Sequence, residues 1–255
     1  MLELRGITKK YSIFPVVNKV SFTVKPGEIL GYLGPNGAGK TTTIKMLAGL
    51  LEPSEGEILL EGSPIKKDIT AYKARMGYVP EQSEIYPHLS AQEYLLMVGR
   101  LRHLPEGPLR EKIEGMMTLF DLDKDMMSPI SSYSKGMRQK VLISAALLHN
   151  PDILLFDEPL SGLDVTTAMV VKDIIHQLAL ENKTILYSSH VLEVTEKLCT
   201  RVIIIHKGKL VANDSVENLR HLMKVPSLEE IFSQLVVEED TADVARRVIE
   251  IISSS

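Results

Sequence analysis

Gly34-Pro35-Asn36-Gly37-Ala38-Gly39-Lys40-Thr41 matches G-x-x-x-x-G-K-[ST] at every fixed position, the pattern of a loop that cradles phosphate. Glycines at those spacings let the backbone curl until successive N–H groups point inward, and a following helix turns the positive end of its dipole to the same point. The flanks have the required order. Ile29 to Leu33 is a short apolar run that predicts a buried parallel strand, and Thr42 to Leu51 predicts a helix with Ile44, Leu47 and Ala48 on one face. Lys40 then reaches the β and γ phosphates of a nucleotide, and the Thr41 hydroxyl is the expected magnesium ligand. The dinucleotide pattern G-x-G-x-x-G is absent at this loop.

Three further stretches end in polar groups where ligands of open α/β sheets gather, beyond the C-terminal ends of strands. Ile153-Leu154-Leu155-Phe156-Asp157-Glu158 predicts a fully buried strand that delivers two carboxylates. Asp157 suits holding magnesium through water, and Glu158 suits orienting or deprotonating an attacking water. Met76 to Val79 predicts a short strand running into Pro80-Glu81-Gln82. That places the Gln82 amide at a strand end, although most glutamines are simply solvated. Thr184 to Ser188 predicts another strand, ending in Ser189-His190. His190 there is able to hydrogen-bond a terminal phosphate, against the ordinary structural role of a lone histidine. Tyr11 lies between two predicted half-exposed antiparallel strands, one with Leu2 and Leu4, the other with Val20, Phe22 and Val24. Its ring either packs one face on the surface or serves as a platform for a nucleobase.

From Ser90 the pattern turns helical. Ser90 and Glu93 make a capping box, with Tyr94, Val98 and Leu101 following on one face. Leu109, Ile113, Met116, Met117 and Phe120 predict a second amphipathic helix. Six of the eleven methionines fall between residues 84 and 150, which reads as gap-filling core or as an adaptable surface for a partner's helix. Ser134-Lys135-Gly136 opens a further helix whose unpaired first-turn N–H groups make a second anion site. Asp164 is a plausible N-cap of the helix starting near Val165. Arg201 to His206 and Lys209 to Asn213 predict a hairpin, and helices from Ser227 and around 244–252 finish the chain.

The 255 residues, 44% hydrophobic, suffice for a folded core of one or two domains. A net charge of -4 provides no basic field for nucleic acid or anionic lipid. Residues 226–255 hold seven acids and two bases, so composition marks an acidic C-terminal extension, separate from the rest. No apolar run approaches the roughly 18 residues of a spanning helix, and the first residues are not those of a signal peptide, so a soluble intracellular chain is expected. The single cysteine, Cys199, predicts packing only.

In order and spacing these stations resemble the ATP-binding subunit of an ABC transporter, from Leu2 to about Leu222. The resemblance implies an α/β fold, a P-loop NTPase of ABC type: a mixed β core with an antiparallel β subdomain and a helical subdomain inserted at about 84–150. The ATPase domain would then span 1–222 and the acidic helical extension 223–255. It further implies that Tyr11 is the aromatic that stacks on the base and that Gly34 to Thr42 is the Walker A loop, Thr42 included. Gln82 becomes the glutamine of the Q-loop, with magnesium among its contacts. Ser134 to Met137 become the signature, Asp157 and Glu158 the Walker B pair, Ser161 to Asp164 the D-loop, and His190 the switch histidine. The cofactors implied are ATP and Mg2+. The partners implied are a transmembrane permease and a second ATPase subunit, identical or paired, joined head to tail so that Ser134, Gly136 and Asp164 face the other subunit's ATP. Such a subunit is cytoplasmic and held at the membrane by the permease. The signature departs from Leu-Ser-Gly-Gly-Gln at Tyr133, Lys135 and Met137, and is similar to that of ABC-2 type exporters; Lys135 is expected to add positive charge near the sandwiched nucleotide. Ser227-Leu228-Glu229-Glu230-Ile231-Phe232 resembles the segment that follows the ATPase core in the same group. The competing readings are a soluble ABC ATPase without a transport role and a P-loop kinase.

Overall fold

The computed structural model describes residues 1–81, 85–236 and 251–252. The chain opens with strands β1 (Leu2–Lys10) and β2 (Pro15–Val24), then β3 (Ile29–Leu33) and helix α1 (Lys40–Leu47). Strands β4 (Glu55–Leu60) and β5 (Ser63–Pro64), helix α2 (Ile69–Ala74) and strand β6 (Met76–Val79) follow. Three helices come next: α3 (Ala91–Leu101), α4 (Glu106–Leu119) and α5 (Lys135–Leu147). Strand β7 (Ile153–Asp157), helix α6 (Val165–Leu180), strand β8 (Thr184–Ser188) and helix α7 (Leu192–Leu198) return the chain to the core. It closes with β9 (Arg201–His206), β10 (Lys209–Asp214), α8 (Val216–Met223) and α9 (Leu228–Val236).

Two sheets result. β2-β1-β4-β5 is antiparallel, and β10-β9-β3-β8-β7-β6 is parallel except for its edge strand β10. All five residues of β3, β7 and β8 are buried, as their unbroken apolar runs require in a sheet covered on both faces. The antiparallel sheet and α1 pack on one face around Leu4, Phe22, Tyr32 and Ile44. The other face carries a second core that gathers α3, α4 and α5 with α6, α7, α8 and α9.

Helix α1 starts two residues earlier and stops four residues sooner than the apolar pattern predicts. Gly39, at φ 102°, turns the chain directly into Lys40, and Gly49, at φ 64°, ends the helix one residue beyond its cap. The composition break near residue 226 does not coincide with a break in packing. Leu228 and Ile231 of α9 are fully buried in the same core as the inserted helices, each burial contributing about 1.5–3 kcal/mol. The helix expected around 244–252 lies outside the described residues but for its last two, Ile251 and Ile252. Among the described residues no helix is long and apolar enough to cross a membrane. Met117 is completely buried, so at this position the core reading of the methionines holds; Met116 is half-buried and Met127 is 69% exposed.

Candidate nucleotide site

Parallel register brings four strand ends to one place. Tyr32 of β3 and Asp157 of β7 both lie opposite Ser188 of β8, and Val79 of β6 lies opposite Phe156. The segments leaving these strands therefore meet: the glycine loop, Glu81, Asp157 with Glu158, and Ser189 with His190 line one cavity of about 530 Å³.

The loop is held open by its own lysine. Lys40 Nζ donates to the carbonyls of Gly34 at 2.7 Å and Pro35 at 3.1 Å. Burial lowers the Lys40 pKa, while the nearby carboxylates of Glu158, Asp157 and Glu81 act in the opposite sense. Gly34 has no room for a side chain, because a Cβ there would stand 2.4 Å from the Ile205 carbonyl oxygen. Behind the loop, Thr43 Oγ1 donates to the Gly39 carbonyl at 3.0 Å and accepts from the Tyr32 hydroxyl at 3.2 Å. Asn36, Gly37, Gly39, Thr41 and Thr42 line the cavity, and Ala38 is buried beneath it.

Facing the loop, Glu158 and His190 form a bonded pair. His190 Nδ1 lies 2.8 Å from Glu158 Oε1, and Ser189 Oγ donates to Glu158 Oε2 at 3.2 Å. Glu158 adopts φ 51°, a left-handed conformation unusual for a side chain of its size, and its N–H donates to the Ser188 carbonyl at 3.0 Å. Asp157 is buried, which pushes its carboxyl up to about 6; the charge of Glu81 adds to that rise and the Thr41 hydroxyl tempers it. Its Oδ2 and the Ser188 hydroxyl are both buried and have no hydrogen-bond partner. Hard, unsatisfied oxygens beside the Thr41 hydroxyl fit a magnesium ion that takes its other ligands from phosphate and water. Among the described residues no three His, Cys, Asp or Glu side chains form a metal cage, and a cation bound in that manner needs none.

Of the other expected residues, none among those described is found in this lining. Gln82 lies outside the described residues; its neighbour Glu81 occupies the strand-end position in the cavity. Tyr11 stands apart from the lining, 63% exposed, with Lys9 Nζ 5.5 Å from the ring centre. Ser134 caps α5, accepting from the Met137 N–H at 3.2 Å, and neither it nor Gly136 lines the cavity of its own chain. Asp164 likewise caps α6, accepting from Thr167 N at 2.9 Å and Thr167 Oγ1 at 2.7 Å, bonds that hold its carboxyl below the usual range. Lys135, expected to offer its charge to a nucleotide between two subunits, donates to Ser161 Oγ at 2.7 Å in this chain.

Sequence reasoning missed Val16, Glu81, Ser189, Leu192 and Phe232 in the lining. Glu81 was open to detection, since two residues past Val79 in the β6–β7 register is the level of Glu158. Phe232 was not, since nothing local connects it with a loop two hundred residues upstream.

A glycine loop between strand and helix, with an acidic strand end beside it, defines a P-loop nucleotide triphosphatase. The chain belongs to the ABC transporter family, whose model matches residues 17–161. It is 40% identical over 234 residues to the ABC transporter ATP-binding protein NatA of Bacillus subtilis (strain 168), covering 91% of this chain and 95% of that one. It is 33% identical to the Nod factor export ATP-binding protein I of Ralstonia nicotianae, over 86% of this chain and 68% of that one. A solved ATP-binding subunit of an ABC transporter superposes with a TM-score of 0.87 at 30% identity, covering 92% of this chain and 99% of that one. The chain is accordingly an ATP-binding subunit that hydrolyses ATP.

Proposed function

We propose that this ATPase pairs head to tail with a second ATPase subunit and powers a membrane permease in export, attached to it at the cytoplasmic face. The observation that carries the pairing is the separation of Ser134 and Gly136 from the cavity of their own chain, although they stand at a helix N-terminus, where an anion is favoured. A signature of that kind has a phosphate to bind only when another subunit presents one. Export is supported by the Tyr133-Ser134-Lys135-Gly136-Met137 form of the signature and by the likeness to a Nod factor export protein.

Within the cavity, Lys40 exchanges the carbonyls of Gly34 and Pro35 for the β and γ phosphates of ATP. Thr41 and Asp157 hold Mg2+, which on binding neutralises charge on the phosphates. Glu158 accepts a proton from the attacking water, and His190, bonded to Glu158, orients that carboxylate and meets the terminal phosphate. Tyr11 stacks on the base, its exposed ring being accessible to it. Glu81 adds a carboxylate at the strand end beside Asp157.

Glu158→Gln keeps the shape of the side chain and removes the proton acceptor, so hydrolysis should fall at least about a hundredfold. ATP binding should persist and the variant should accumulate as an ATP-dependent dimer on gel filtration. Co-purification with a membrane subunit then separates a transporter component from a soluble ABC ATPase. A variant that remains monomeric with bound ATP contradicts the head-to-tail reading.

A further inference from the structure

Helix α9 places Leu228, Ile231, Phe232, Leu235 and Val236 at spacings of three and four, which puts them on one face. Leu228 and Ile231 anchor that face in the core. Phe232 reaches further and lines the nucleotide cavity together with Leu192 and His190. Leu192 is the first residue of α7 and stands two positions after His190. Helix α7 packs directly against α9, and Glu196 of α7 joins the elements by accepting from the Leu228 N–H at 3.3 Å and pairing with Arg220 of α8.

His190 needs such support. Its side chain is 68% exposed and is held by its bond to Glu158, while Val191, the N-cap of α7, supplies no side-chain cap. Whatever fixes the direction of the segment from His190 to Leu192 decides where the imidazole stands relative to Glu158. Leu192 and Phe232, on two helices that pack together, give the cavity an apolar side next to that segment.

We infer that Phe232 is a positioning residue of the ATPase site: from the C-terminal helix it holds the His190 segment in the geometry that hydrolysis requires. This rests on the role given to His190 above. It makes α9 part of the catalytic unit, beyond the stretch from Val16 to Leu192 that contains the other residues lining the cavity.

The test compares Phe232→Ala, His190→Ala and the double variant in the full chain. Turnover at saturating ATP is expressed per folded molecule, affinity is measured with a fluorescent ATP analogue without magnesium, and folding is followed by thermal melting. Phe232→Ala should lower kcat at least tenfold while the nucleotide Kd changes less than threefold. The double variant should turn over no more slowly than His190→Ala alone, because Phe232 acts through that histidine. If Phe232→Ala does not fold, Phe232→Leu, a milder change of core volume, gives the same reading: a several-fold loss of kcat at unchanged Kd supports the inference and wild-type kcat overturns it. Wild-type turnover in Phe232→Ala beside an inactive His190→Ala overturns this inference alone. Wild-type turnover in His190→Ala overturns the reading beneath it.

Discussion

Lys135 at the start of α5 donates a hydrogen bond to Ser161 Oγ at 2.7 Å, and its methylenes lie over Gly162, where an added Cβ would meet Lys135 Cδ at 2.9 Å. The start of α5 is therefore tied to the turn that follows β7. The bond is exposed, so it is worth about 0.2–1 kcal/mol at most. Lys135→Met should accordingly leave the melting temperature almost unchanged and keep turnover within about tenfold of wild type, a change of roughly 1.4 kcal/mol. Ser161→Ala in the same chain should add little, because both substitutions remove one interaction. A steady-state ATPase assay on the single and double variants checks this.

Gly136 is the stricter position. A Cβ there would stand 2.6 Å from the Gly162 carbonyl oxygen, a backbone atom with no flexible end to yield. Gly136→Ala should push the turn at Gly162 away from α5 and cost about 1–3 kcal/mol of stability, the usual range for overpacking. ATPase activity should fall more than in Lys135→Met. Urea denaturation and turnover measured on the same preparation test both halves.

The raised pKa of Asp157, about 6, has a definite sign for metal binding. Above pH 6 the carboxyl is ionised and free to ligate; below it a proton must leave first, so Mg2+ affinity in the presence of ATP should fall by up to tenfold per pH unit. The triphosphate titrates as well, and Asp157→Asn separates the two contributions. Between pH 7 and 5, Mn2+ titration followed by electron paramagnetic resonance should give a steeper slope for wild type than for Asp157→Asn. Equal slopes would remove Asp157 from the metal site.

Two methionines of the helical region should behave oppositely. Met117→Ala opens a cavity in the core and should cost about 2–5 kcal/mol in chemical denaturation. Met127→Ala, at an exposed position, should stay within about 0.5 kcal/mol of wild type.

The elements most legible in the sequence were those whose signal is local. The apolar runs of β3 and β7 announced buried strands, and Ser90 with Glu93 and Asp164 before Val165 announced helix starts that form as capped turns. The short helices α2, α7 and α8 offered too few turns for a period of 3.6 to stand out. Other features depend on distant partners. Nothing beside Lys135 in the chain announces its bond to Ser161, which the turn after β7 brings to it. Charge separated residues 226–255 from the body, yet the apolar face of α9 binds them back into it as far as Val236.

Strand β3, which leads into the glycine loop, lies between β8 and β9, and its register partner for Ile29 is Ile185, more than 150 residues downstream. At about 5–20 residues per second of synthesis, that strand waits on the order of 8–30 s for a neighbour. During that interval the growing chain holds an apolar strand with both edges unpaired, beside an antiparallel sheet already complete. Transient burial against α1 would shield that strand until β8 and β9 emerge to pair with it.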